Sequence, residues 1–526
     1  MRILFVNPPY RDLRFSRAQR SPGVIKSGTM YYPYWLAHAA ALAEARGQKI
    51  DLVDCAADGI GREELLTRAR RFAPELVVVE TSTPSYNCDL GTVTFLRAGL
   101  AGARFLMVGT HATAEWRHAL EHCSELDFVG IGEYDETVAE LAQALETGGP
   151  LGAIAGLARR DGGEAVEGPV RAPIEDMDAL PWIAPIYKRF LTPENYLFTI
   201  ATQPMVMLIG GRGCRAKCFF CVYPQLMHGH RYRTRSPAHV VGEMKWVQEN
   251  MPEVREIVFE DDTFTADPKR AREIARLVRQ EGVTLPWFAN IRTNIDRETL
   301  EALYEAGLRE CATGFESGDQ TILNNMRKGQ TLERQRSFMR DCRDIGILVH
   351  GCFMVGFPGE TRETLKRTLN LALELSPDSA QFYPVMPYPG TGAYLWAQEN
   401  GFLNTGNFDD WLNDEGGHRC VIDLPGLPAR ELERFCESAF RRFHFRPRYI
   451  LRKLLQAVTS PREGRRSINA GINFLRYLLR GRLDDPRAQP SAAGAASEDW
   501  YARIRVPYGR METLERTGAF VPPGKT

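Results

Sequence analysis

The sequence predicts an α/β protein. A doubly wound parallel sheet fills residues 1–147, a connector spans 148–204, a partial barrel of six strands fills 205–400, and a mostly helical region occupies 401–526. Two observations predict this. Apolar runs of strand length alternate with helical periodicity, and the alternation occurs in two separate stretches.

In the first stretch the runs are Ile3–Asn7, Ile50–Asp54, Leu76–Glu80, Phe105–Gly109 and Phe128–Gly132. Helical patterns lie near 34–46, 62–72, 89–100, 112–122 and 135–147. In the connector, Asp161-Gly-Gly163 is a turn signal for a small hairpin. In the second stretch the runs are Met205–Ile209, Glu256–Glu260, Leu285–Asn290, Glu310–Phe315, Leu348–Val355 and Ser379–Pro384. Ligands of both architectures bind at the carboxyl ends of strands.

The chain has 526 residues, 44% hydrophobic and 25% charged, with 66 basic and 66 acidic side chains. Such a balance creates no global field for nucleic acid. No apolar run reaches the ~20 residues that span a bilayer, and the N-terminus reads as a strand, so a cytoplasmic protein is expected. Residues 441–482 interleave arginines with Ile450, Leu451, Leu454, Leu455, Phe474, Leu475, Leu478 and Leu479. That pattern reads as a helical cap with a solvated basic face, or as a peripheral membrane contact.

Of 11 cysteines, three are clustered: Cys214-Arg-Ala-Lys-Cys218-Phe-Phe-Cys221 follows Gly210-Gly-Arg-Gly213 and the first strand of the second stretch. Three thiolates on one loop suit three irons of a cubane and leave the fourth iron open. The rival reading is zinc, with His228 or His230 as fourth ligand.

The C-x3-C-x2-C segment, with Phe220 as its aromatic, resembles the radical S-adenosylmethionine (SAM) superfamily. The resemblance implies a [4Fe–4S] cluster on Cys214, Cys218 and Cys221 whose open iron binds SAM and yields a 5′-deoxyadenosyl radical. It also implies SAM contacts by Asp261 or Asp262 at the end of the second strand and by Glu316 and Ser317 closing the fourth. Arg292, just after the third strand, has the charge to pair the SAM carboxylate or a substrate acid, with a surface role as the rival reading. The glycines of 351–359 permit close approach to an adenine. No side chain is assigned a catalytic role of its own.

Four segments end strands of the first stretch: Asn7-Pro8-Pro9-Tyr10, Thr81-Ser82-Thr83-Pro84, Gly109-Thr110-His111 and Gly130-Ile131-Gly132-Glu133. With the cysteines they resemble the cobalamin-binding radical SAM subgroup, the class B methylases, over residues 1–400. The implied architecture is a Rossmann-like cobalamin-binding domain, a partial (β/α)6 radical SAM barrel and a helical C-terminal region. Asn7, Pro8, Thr81, Ser82, Thr83, Gly109, His111, Gly132 and Glu133 are the expected cobalamin contacts. The Asp-x-His-x-x-Gly pattern of lower-ligand methylases is not found, since Gly109 stands at the Asp position, so base-off cobalamin without a His on cobalt is implied. The first glycine of the subgroup's His loop is Val108 here. The run His228–Ser236 resembles a subset that includes hopanoid-associated enzymes.

The implied activity is methylation of an unactivated carbon of a small molecule or lipid through the deoxyadenosyl radical and methylcobalamin, with flavodoxin or ferredoxin as electron donor. The rivals are a non-methylating radical cyclisation, ring contraction or oxidation; a methylthiotransferase, whose second cluster would need Cys55, Cys88 and Cys123; and a non-enzymatic iron–sulfur or zinc protein.

Overall fold

The computed structural model describes residues 1–24, 28–460, 463, 464 and 466. The basic pattern beyond residue 466 lies outside the described residues.

Seven strands form the first sheet: β1 (Arg2–Asn7), β2 (Lys49–Asp54), β3 (Leu76–Glu80), β4 (Arg104–Val108), β5 (Phe128–Gly130), β6 (Leu157–Asp161) and β7 (Glu164–Glu167), in the order β2-β1-β3-β4-β5-β6-β7. The first five are parallel, and β6 and β7 add antiparallel. The Asp161–Gly163 hairpin therefore extends this sheet past residue 147 into the connector. Leu76–Glu80 is buried throughout because helices cover both faces, which explains its unbroken apolar run. Strand order reverses between β1 and β3, which opens a crevice at the ends of β1, β2 and β3.

After β8 (Met205–Leu208) comes a two-stranded ribbon of β9 (Gly211–Arg212) and β10 (Arg233–Thr234), which brackets the cysteine loop. β11 (Glu256–Phe259), β12 (Trp287–Asn290), β13 (Leu308–Glu316), β14 (Leu348–Val355) and β15 (Ser379–Pro384) complete a six-stranded parallel sheet ordered β15-β14-β13-β12-β11-β8. Ser236, Asp267, Asp296, Asp319, Thr331 and Thr361 each cap a helix N-terminus with the side chain. Each cap contributes about 1 kcal/mol and fixes where a crossover begins.

One continuous core joins the two sheets, running from Ile3 and Phe5 through Trp35 and Tyr223 to Phe353 and Phe382. The C-terminal region packs the helix Ala429–His444 along β15. The next helix, Pro447–Thr459, exposes Ile450, Leu451, Leu454, Leu455 and Val458 on one stripe. Among the described residues no helix is long and apolar enough to cross a membrane.

Candidate cofactor site

The cysteine loop is held by a clamp that sequence reading missed. Gln225, 6% exposed, donates its amide to the carbonyls of Cys218 (3.3 Å), Phe219 (3.0 Å) and Cys221 (2.8 Å), and accepts from the Gly392 N–H at 2.9 Å. His230 Nδ1 meets the carbonyls of Cys214 and Ala216 at 3.1 and 3.0 Å. Phe220 packs on Phe357 with ring centroids 5.2 Å apart, which ties the loop to the Gly351–Gly359 stretch. Gly213 has φ +91°, and a Cβ there would sit 2.2 Å from the Arg231 carbonyl, so only glycine lets the ribbon close over the loop.

All three thiols are free. Burial pushes the Cys214 and Cys221 thiols up, with Asp262 adding to both. Cations surround them: Arg292 Nη1 lies 3.9 Å from Cys218 Sγ, Lys328 faces Cys218, and Arg20 faces Cys221. Among the described residues no three ligand side chains converge on a single metal ion. A cube needs no such convergence, because each thiolate binds a different iron. Zinc fits poorly: His230 faces backbone carbonyls, and His228 Nδ1 pairs with Glu133 Oε1 at 3.0 Å.

The acids at the end of β11 are in three different settings. Asp261 accepts from Gly210 N–H at 2.7 Å and Tyr232 O–H at 3.2 Å, and burial pushes its pKa up to about 6. Asp262 accepts from Gly213 N–H at 3.2 Å and so braces the cysteine loop. Glu260 accepts from Asn290 at 3.2 Å. At the end of β13, Glu316 adopts φ +62°, a left-handed conformation unusual for a side-chain-bearing residue. Lys328 holds its Oε1 at 2.6 Å, while Oε2 is buried without a partner. That orphaned carboxylate oxygen is an open acceptor suited to a hydroxyl or ammonium ligand. Ser317 is used locally: its Oγ lies 3.3 Å from Thr368 Oγ1 and accepts from the Asp319 N–H. Arg292 also donates to the Lys328 carbonyl.

Across the interface, the helical turn Pro224–His228 after Cys221 packs against the turn Thr110–Ala114 after β4. His111 Nδ1 meets Thr83 Oγ1 at 3.1 Å, its ring lies against Tyr86 and Phe408, and Nε2 is buried without a partner. Burial pushes its pKa down to about 3, so the imidazole is neutral. Gly109 has φ +113°, and a Cβ would lie 2.3 Å from the Thr81 carbonyl. Gly132 N–H donates to Thr113 Oγ1 at 3.0 Å. Glu80 Oε2 is a second orphaned atom on this edge, and burial raises the Glu80 pKa to about 8. Such orphans at a sheet edge with close-approach glycines fit a large amide-rich ligand like cobalamin.

Other expected contacts are engaged within the protein. Asn7 donates to Asp54 at 2.7 Å and accepts from Arg17, which also donates to the Pro8 carbonyl. Thr81 donates to Asp89 at 2.8 Å, and Ser82 Oγ pairs with Ser85 Oγ at 2.9 Å. Glu133 lies between Arg233 and His228, and its partners hold the carboxyl well below its usual range against its own desolvation. The run His228–Ser236 is therefore internal wiring at Arg233 and Arg235, whose partners are Glu133 and Glu243. Cys55, Cys88 and Cys123 face different surroundings: Cys88 donates to the Pro9 carbonyl, Cys123 to Glu125, and Cys55 is buried beside Asp54. They do not form a second trio.

Together, fold and site define a Rossmann-type domain whose ligand edge faces a barrel that opens on three cysteines. The family model described as B12 binding domain matches residues 20–142, and that described as Radical SAM superfamily matches residues 208–372. The chain belongs to the cobalamin-binding radical SAM family, with a [4Fe–4S] cluster, SAM and cobalamin as its cofactors. It is 29% identical over 460 residues to the uncharacterized methyltransferase PH0819 of Pyrococcus horikoshii, covering 87% of this chain and 95% of that protein. It is 28% identical to the anaerobic magnesium-protoporphyrin IX monomethyl ester cyclase of Cereibacter sphaeroides, covering 74% of this chain and 63% of that protein. Among solved structures, the radical SAM methyltransferase TsrM of Kitasatospora setae, with cobalamin and a [4Fe–4S] cluster bound, superposes with a TM-score of 0.66 at 18% identity, covering 84% of this chain and 92% of that one. The cobalamin-dependent radical enzyme OxsB superposes with a TM-score of 0.60 at 14% identity, over 84% and 61% of the two chains.

Proposed function

We propose that this chain is a cobalamin-dependent radical SAM methyltransferase that acts on an unactivated carbon of a small-molecule or lipid substrate. The observation that carries the reading is the packing of the turn after Cys221 directly on the His111 turn, which puts the two cofactor loops on one interface. The name of the Pyrococcus relative and that of the Streptomyces wedmorensis cytidylyl-2-hydroxyethylphosphonate methyltransferase, 22% identical over 75% of this chain and 83% of that protein, support a methyl-transferring outcome.

When bound, the cluster and SAM supply a hydrogen-abstracting radical and cobalamin supplies the methyl carrier. The protein's share is placement. Cys214, Cys218 and Cys221 would hold the cluster. Glu316, through its unpartnered Oε2, would receive a polar group of SAM, and Gln225 keeps the loop geometry fixed. A cytoplasmic flavodoxin or ferredoxin would deliver electrons. The exposed apolar stripe of Pro447–Thr459, with the exposed Arg448 beside it, supports peripheral contact with a membrane surface and hence a lipid substrate.

The test is anaerobic reconstitution with iron, sulfide and hydroxocobalamin, followed by mass spectrometry with candidate substrates. S-adenosylhomocysteine together with 5′-deoxyadenosine and a methylated product is expected. Deoxyadenosine without S-adenosylhomocysteine would move the chain to the cyclase-like outcome, and neither product would sink the reading.

A further inference from the structure

The loop that leaves β1 at the strand-order reversal does more than connect. An antiparallel bridge between Ser16 and Gly23 closes it into a finger. Gln19, 5% exposed, donates to the carbonyls of both closing residues at 3.3 Å. The finger thus has its own internal support.

Two arginines three positions apart leave it in different directions. Arg17 enters the first domain, where it donates to Asp89 at 2.5 and 3.1 Å and to Asn7 at 2.7 Å; the Arg17 and Asp89 side chains have zero exposure. Arg20 enters the barrel mouth. It donates to Glu260 Oε2 at 2.9 Å, to the carbonyls of Glu260 and Asp261 at 3.1 and 2.9 Å, and to Asp262 Oδ1 at 3.4 Å. Its guanidinium also lies 5.5 Å from the ring centroid of Tyr223, two residues after Cys221. The same Tyr223 donates its O–H to the Ala18 carbonyl of the finger at 2.5 Å. Ser21 Oγ lies 3.1 Å from Tyr388 O–H, past the end of β15.

We infer that residues 16–23 form a strut that sets the cobalamin domain in register with the cluster, and that Arg20 is its positioning residue. The force path is short. Arg20 holds Asp262, and the other oxygen of Asp262 holds the Gly213 N–H next to Cys214. A planar guanidinium can satisfy four oxygens in fixed directions, which a single ammonium cannot. The inference rests on the cofactor assignment above, and the experiment separates the two.

The experiment compares the native holoenzyme with Arg20→Gln and Arg20→Lys. Each is loaded with iron, sulfide and cobalamin, reduced, and measured for metal and corrinoid content. The power saturation of the cob(II)alamin electron paramagnetic resonance signal is then recorded with the cluster oxidised and reduced, because a nearby paramagnetic cluster alters it. The expected result is full loading of both cofactors in Arg20→Gln, a shift in the cluster-dependent saturation, and partial return toward the native value in Arg20→Lys. A native saturation curve in Arg20→Gln would overturn the strut. So would loss of iron or corrinoid from Arg20→Gln, since Arg20 would then serve loading and not register. If the native protein itself takes up no cluster or corrinoid, it is the cofactor assignment that fails.

Discussion

Lys328 Nζ lies 2.6 Å from Glu316 Oε1, and the two side chains are only 9% and 5% exposed. Lys328 sits on the turn after the helix Gln320–Asn325, next to Arg327 at φ +55°. The turn therefore delivers a cation to a carboxylate that β13 already holds in a left-handed conformation. Breaking a buried pair from one side leaves a bare charge. Lys328→Met should destabilise the apo protein by about 3–5 kcal/mol, read by denaturant unfolding. Glu316→Gln keeps the shape, leaves the buried Lys328 facing a neutral amide at some cost in stability, and weakens the acceptor that Oε2 offers. It should lower SAM affinity by about tenfold, close to 1.4 kcal/mol, with cluster content unchanged.

Replacing Cys214, Cys218 or Cys221 singly by Ala should abolish the cluster's visible absorption and reduce deoxyadenosine formation to background. Cobalamin uptake should persist, because the His111 edge is built on a separate sheet. Loss of corrinoid along with iron in all three variants would show that the two sites assemble as one.

The contrast between what the sequence discloses and what it hides follows element by element. β1 and β3 are legible nearly to the residue, because strands buried on both faces must be apolar along their length, and β14 and β15 are legible through their alternation of half-buried and buried positions. The cysteine trio is legible because its ligands are sequence neighbours. Arg20 is not. Its partners lie 240 to 242 positions away, and residues 8–33 carry no periodicity that would mark a finger. Arg233 and Arg235 are as hard to read: nothing in the run His228–Ser236 marks Glu133, 100 positions earlier, or Glu243, on the following helix, as their partners.

Gly109→Ala tests the proposed cobalamin edge through the backbone. A Cβ at φ +113° would meet the Thr81 carbonyl at 2.3 Å, and neither backbone can yield without moving β3 or β4. A loss of more than about 2 kcal/mol is expected, with corrinoid retention falling before cluster content. Calorimetry and the corrinoid absorption of the purified protein would report both.

The acids below that edge make stability depend on pH. Burial raises Glu80 from 4.5 to about 8 and Asp54 from 3.8 to about 7, with Arg17 the nearby cation and Asp89 already paired to it. Both groups bind their proton more tightly folded than unfolded. Their contribution is complete below the unfolded pKa and is lost as pH rises toward about 8. The apo protein should therefore lose on the order of a few kcal/mol across that window. Glu80→Gln with Asp54→Asn should flatten the curve. An unchanged melting-temperature slope in the double variant would reject this assignment.

Gln225→Glu addresses the clamp on the cysteine loop. The carboxylate matches the amide in size but donates nothing, and it sets negative charge against the carbonyls of Cys218, Phe219 and Cys221. Each buried carbonyl left without its donor costs about 1–3 kcal/mol, less whatever the loop recovers by moving. Movement is the informative part, because three sulfurs that would each hold a separate iron would tolerate little displacement. Anaerobic incubation with an iron chelator should strip the cluster from Gln225→Glu faster than from the native protein, at equal starting iron content. Gln225→Ala removes the donors without adding charge and should fall between the two. Equal stripping rates in all three proteins would mean that the ribbon of β9 and β10 alone holds the loop, and that the Gln225 hydrogen bonds follow its shape without setting it.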